Sequence, residues 1–252
     1  MCLTDADYKF ITIFSPNFSF MIKRNALLLP TALLMLLLSC STASTKNSTI
    51  EVTIAGLKKG KIYLEQVVDS TLIVLDSVRV SREETHILTL DLEHPEFLIL
   101  RLDKEDFNSF NDRISFFADP GKTSIKTSLD GFEKDAIIVS GPHQKEFENI
   151  SKMLSDFDIK SLQLYQLSQE KEYLFPDRQD SLIRVAQRNE IRRYQYLVNY
   201  ALANTDNYLT PFVIVEQGDF LQQKWKDSIY NLLSDDIKSS TYGKQLAIQL
   251  QP

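Results

Sequence analysis

Apolar positions along the chain change their period twice. From Ala26 to Leu38 they are nearly continuous, from Thr49 to about Gly141 they alternate, and after Pro142 they return every three or four residues. In the alternating part, Ile50, Val52 and Ile54 read as one face of a half-buried strand. Leu57-Lys58-Lys59-Gly60 turns the chain, and Lys61-Ile62-Tyr63-Leu64 resumes it with Ile62 and Leu64 inward. Residues 72–80, 86–90, 97–102, 113–118, 123–129 and 136–139 continue the series. Turns fall at Ser81-Arg82-Glu83-Glu84, around Pro95 and at Asp119-Pro120-Gly121-Lys122. About eight short strands with turn chemistry between them predict an antiparallel sandwich or barrel.

At Ser140-Gly141-Pro142 the period becomes helical. Phe147, Ile150, Leu154 and Phe157 lie on one face, with Pro142 suited to a first helical position. A second helix follows Pro176-Asp177 and runs to about Ala203, with Leu182, Val185, Tyr194, Val198 and Ala201 inward. Thr210-Pro211 reads as a cap and first position of a third helix, and Trp225, Ile229 and Leu232 mark a fourth. Asp235 or Asp236 is expected to cap a last short helix ending near Leu250. The fold class is therefore α+β: an N-terminal antiparallel β-sandwich-like domain over 49–141, then a helical domain over 142–252.

The continuous stretch MIKRNALLLPTALLMLLLSC has a basic head (Lys23, Arg24), an apolar run, a small residue and then Cys40. These are the parts of a secretory signal. Leu37-Leu38-Ser39-Cys40 resembles a lipobox, which implies lipidation at Cys40. An uncleaved membrane anchor is the rival reading, since the length approaches the roughly 20 residues of a span. Residues 1–20, with Asp5, Asp7 and several phenylalanines, fit no signal and read as an over-extended start before Met21. Residues 1–40 form the signal segment, and the polar residues 41–48 read as a flexible tether.

Composition narrows the function. The chain is 43% hydrophobic, which suffices for a core, and its net charge of -6 argues against a nucleic-acid partner. The two cysteines are Cys2 and Cys40, so residues 41–252 hold no thiol for disulfide or dithiol chemistry.

No catalytic constellation and no cofactor motif stands out. Gly121-Lys122-Thr123 is read as a β-turn, because a phosphate loop needs a glycine where Phe116 stands and a helix afterwards. His86, His94 and His143 lack metal-site spacing and are expected to be solvated or capping, so no metal is expected. Arg184, Arg188 and Arg192 step by four along one helix face. They are a candidate anion or headgroup stripe, although a solvated face is favoured, with Asp180 and Glu190 spaced to pair with Arg184 and Arg193. Phe147, Phe157, Tyr194, Phe212 and Trp225 are expected in the core. Tyr165, Tyr173 and Phe175 are candidates to line a groove between the two halves.

Lys59-Gly60-Lys61-Ile62-Tyr63-Leu64, Asp76-Ser77-Val78, Ser115-Phe116-Phe117-Ala118-Asp119-Pro120-Gly121 and Val139-Ser140-Gly141-Pro142 occur in this order. With Ser240-Thr241-Tyr242-Gly243-Lys244-Gln245-Leu246 they resemble the DUF4369 domain of exported Bacteroidetes lipoproteins and its junction with a thioredoxin-like domain. That next domain, with its Cys-x-x-Cys pair, is not expected within residues 41–252, which hold no cysteine. The resemblance implies an exported lipoprotein, anchored through Cys40, and no reaction; Ser41 is not acidic and the tether has no acidic cluster, which by resemblance to lipoprotein sorting rules implies the outer membrane with the body facing the periplasm. The expectation is a non-enzymatic binding or accessory module, with a separate thioredoxin-like protein as partner. The alternative is a small-molecule or glycan binder using an interdomain cleft.

Overall fold

A computed structural model describes residues 46–68, 71–80, 82, 84–104 and 112–251. The signal segment, Cys40 and most of the tether lie outside the described residues. No helix among the described residues is long and apolar enough to cross a membrane.

The described residues form eight strands: β1 (Ser48–Ala55), β2 (Gly60–Val68), β3 (Thr71–Val80), β4 (Thr85–Leu90), β5 (Glu96–Asp103), β6 (Asp112–Ala118), β7 (Lys122–Ser128) and β8 (Ile137–Val139). They form two four-stranded sheets, ordered β4-β1-β7-β8 and β3-β2-β5-β6. The inward residues of both sheets meet in one core that includes Ile50, Val52, Ile62, Leu64, Leu88, Leu100, Phe116 and Ile125. This is the expected sandwich, with one departure. β1 and β7 pair in parallel, with Thr49 opposite Lys122, whereas the other pairings are antiparallel. Parallel neighbours need a crossover, and here β2 to β6 intervene, all but β4 in the second sheet.

The tether ends sooner than its composition suggests. The Asn47 side-chain amide donates to the Leu92 carbonyl (2.8 Å) and accepts from the Leu92 amide (2.9 Å), and Ser48 already belongs to β1.

Among the described residues six helices follow: α1 (Pro142–Ser168), α2 (Pro176–Ala203), α3 (Leu209–Gln217), α4 (Gln223–Leu232), α5 (Asp235–Ser239) and α6 (Thr241–Gln249). Two termini differ from expectation. Thr210 does not cap α3; it is fully buried in the first turn, and Asn207 Oδ1 accepts the Leu209 amide instead (2.9 Å). Pro211 still falls in that turn, where a missing N–H breaks no intrahelical bond. The last segment is two helices, because Ser234 caps α5 and Ser240 caps α6, each through its hydroxyl.

Successive side chains of a strand point to opposite faces. Phe116 therefore fills the sandwich, while Phe117 leaves it and enters a second core with Ile150, Leu154, Phe212 and Tyr242. Its ring centroid lies 5.4 Å from that of Phe212 and 6.1 Å from that of Phe147. Both rings were expected to be core, and Phe212 is (7% exposed), while Phe147 packs against the cluster half-buried. A third core behind α2 gathers Val198, Ala201, Ile214 and Ile229, with Tyr194 and Trp225 against it.

Candidate functional site

The hairpin α1–α2 is made of the two longest described helices, 27 and 28 residues, and the sequence motifs that close the sandwich are what hold it. Gly141 precedes α1, and a Cβ there would lie 2.3 Å from the Asp119 carboxylate. That room lets Asp119 Oδ1 bond His143 Nδ1 at 2.5 Å. Ser140 Oγ sits 2.8 Å from Thr123 Oγ1 and accepts the Asp119 amide at 3.4 Å. β6 is an edge strand, so the Phe117 N–H lacks a ladder partner on that side. The buried Gln144 Oε1 accepts it at 2.7 Å. The turn residues of the Asp119-Pro120-Gly121 and Ser140-Gly141-Pro142 motifs thus clamp the first turn of α1 to the β6–β7 turn. Gly121 has φ +117, and a strand follows it, as a β-turn reading requires.

From this clamp α1 runs 27 residues, about 40 Å at 1.5 Å per residue. α2 returns antiparallel: Glu146 meets Tyr200 (2.8 Å), and Ser161 meets Glu190 (2.9 Å). Midway, the buried Asn189 side chain donates to the Phe157 carbonyl and to Ser161 Oγ, both at 2.9 Å.

Beside this seam is a groove of about 500 Å³ lined by Met153, Asp156, Phe157, Lys160, Val185, Arg188, Asn189 and Arg192. Met153, Phe157 and Val185 supply apolar surface, and Lys160, Arg188 and Arg192 bring three cations against one carboxylate, Asp156. None of these three cations forms an ion pair or hydrogen bond among the described residues. Arg184, one turn away, is exposed and does not line the groove. The helical pairs expected to neutralise the stripe are not made. Glu190 accepts from Ser161, and Arg193 instead reaches Gln217 Oε1 (2.5 Å), lies 3.6 Å from Asp158 and covers the Phe220 ring.

The outer side of α1 carries Ile159, Leu162 and Tyr165, three residues apart and 51%, 57% and 65% exposed. Steps of three form a ridge along a helix surface. Tyr173 and Phe175 lie in and just after the 3-10 turn Lys171–Leu174 that joins the two helices, and Phe175 is exposed. Tyr165, Tyr173 and Phe175 therefore do not line a groove between the two halves. Their segment packs chiefly on the two helices it connects, at the hairpin's far end. Phe157, expected in the core, is half-buried against Tyr196 and opens onto the basic groove.

The cleft between the halves is built from other residues. It holds about 360 Å³ and is lined in part by Gln66, His94, Glu96, Thr241 and Lys244. Glu96 is buried and accepts hydrogen bonds from the Thr241 hydroxyl and from Gln66 Nε2 (3.1 Å). Burial holds its carboxyl above the ordinary range, only partly offset by those bonds and by the Lys244 charge. Among the described residues no cluster of three metal-ligating side chains occurs. The histidines do separate jobs: His94 stacks on Tyr208 (5.2 Å), His143 holds Asp119, and His86 is buried on β4 rather than solvated. Sequence reasoning missed Lys160, Asn189 and Glu96, whose partners lie on other elements.

Residues 48–147 match the family model DUF4369, a domain of unknown function. The match covers the whole sandwich and the first turns of α1. The matched span ends at 147, so the rest of the hairpin and the motif around Tyr242 lie beyond it. No curated protein matches the chain.

Proposed function

We propose that this DUF4369-bearing chain is a non-enzymatic binding module of the bacterial cell envelope. Cys40 is the lipid anchor, the outer membrane is the site, and the body faces the periplasm. The sandwich is a mount, and the α1–α2 hairpin is the recognition surface. The observation that carries this reading is the exposed ridge Ile159, Leu162 and Tyr165, which lies in the half of α1 away from the clamp. Contiguous exposed apolar surface marks association sites in soluble proteins. The partner is a separate thioredoxin-like envelope protein, the domain class that the sequence resemblance places beside DUF4369 in Bacteroidetes lipoproteins.

A crosslinking pull-down from intact cells tests this, comparing the native chain with Cys40→Ala. Enrichment of a thioredoxin-like envelope protein by the anchored form alone supports the proposal. Equal recovery with both forms, or none, removes it.

The second reading is a small-molecule or glycan binder at the Glu96 cleft. The buried, hydrogen-bonded carboxylate beside Lys244 favours it, since such sites combine a pocket with few convergent polar groups. A thermal-shift screen separates the two, because a ligand of the native state must raise Tm.

A further inference from the structure

The groove between α1 and α2 combines two features that a solvated helix face does not need together. Three cations from two helices, Lys160, Arg188 and Arg192, converge on it without an ion-pair partner among the described residues. Beneath and beside them is apolar surface from Met153, Phe157 and Val185. Counting Asp156, three positive charges and one negative leave the groove at +2, on a chain whose net charge is -6. A long polyanion would be repelled by the rest of the molecule, whereas a small anionic head on an apolar body matches charge to charge and carbon to carbon.

We infer that this groove binds the phosphate headgroup of an anionic membrane lipid, so that the hairpin rests on a bilayer surface. Arg188 and Arg192, with Lys160 facing them from α1, hold the phosphate. Met153 and Phe157 take the glycerol and upper acyl carbons. The site is separate from the Ile159 ridge and does not depend on the proposed protein partner.

Each basic residue near an anionic surface contributes roughly fivefold to binding, so a net charge of +2 gives about 25-fold. Residues 46–252, which form a compact unit of their own, are sedimented with sucrose-loaded vesicles. Phosphatidylcholine vesicles are compared with vesicles containing phosphatidylglycerol. About 25-fold preference for the anionic vesicles is expected at low salt, declining as salt rises. The double variant Arg188→Glu, Arg192→Glu should lose it. Lys126→Glu, Lys134→Glu makes the same charge change on exposed sites of the sandwich and should keep most of it. Circular dichroism verifies that both variants are folded, and Ile159→Ser, Leu162→Ser should leave vesicle binding intact. Equal partition into both vesicle types, or equal loss in the two charge-reversal variants, overturns the inference. Displacement by millimolar glycerol phosphate also overturns it, and assigns the groove to a soluble phosphate.

Discussion

Phe117→Ala should separate the two halves of the molecule without breaking either. Phe117 is fully buried, and its ring meets Phe97, Phe147, Phe212 and His143 at centroid distances between 5.4 and 6.5 Å. Truncating a buried phenylalanine costs about 3–5 kcal/mol. That is a large share of a domain's usual stability of roughly 5–15 kcal/mol. The loss falls on the contact between β6 and the helical unit, because the ring lies on the outer side of the second sheet. Phe116→Ala removes an equal ring one residue earlier, but from inside the sandwich. Urea unfolding should be followed by fluorescence of Trp225, the one tryptophan, which reports the helical unit, and by far-ultraviolet circular dichroism. The native chain is expected to give coincident curves. In Phe117→Ala the Trp225 transition should move to lower urea and precede a later transition from the sandwich. In Phe116→Ala that order should be absent. A loss below about 1 kcal/mol with coincident curves in Phe117→Ala would refute the reasoning, as would identical behaviour of the two variants.

Other outcomes follow from single contacts. The Glu96 carboxyl is raised by burial, so the folded state favours its protonated form. The stability it contributes is present below the ordinary glutamate range and is lost as pH rises through the raised value. Thermal melts of Glu96→Gln should therefore gain on the native chain as pH goes from about 4.5 to 8, and a pH-independent difference would count against this. Asn189→Ala should cost about 1–2 kcal/mol, seen in urea melts, and should speed amide exchange in the middle of α1 and α2. Gly141→Ala puts a methyl against Asp119 and should cost about 1–3 kcal/mol while releasing His143, which histidine NMR would register.

Most of the sandwich was legible because most of its strands bury one face. Ile50, Val52 and Ile54 alternate with polar neighbours, and all three are buried. The parallel β1–β7 pairing was not legible, since alternation states which face is buried and not which strand lies alongside. Helix boundaries failed where tertiary contacts overrode local chemistry. Thr210 looks like a cap in isolation, yet burial draws it into the first turn of α3. Ser240 splits the final segment because its hydroxyl accepts the Gly243 amide. The arginine stripe was visible as a spacing. Its meaning depended on Lys160, about 30 residues earlier, and on whether Glu190 turned to Arg193 or to Ser161. Glu96 gave no signal, because the side chains that bond it, Gln66 and Thr241, lie on β2 and α6.

The measurement that bears most directly on the account is site-specific photocrosslinking in intact cells, with a photoreactive residue at Leu162 or at Lys134. Leu162 lies on the exposed ridge of α1, and Lys134 on an exposed turn of the sandwich. If the hairpin is the recognition surface, Leu162 should give a discrete adduct with a thioredoxin-like envelope protein and Lys134 should give none. Adducts of the same partner from both positions, or none from Leu162, would contradict it.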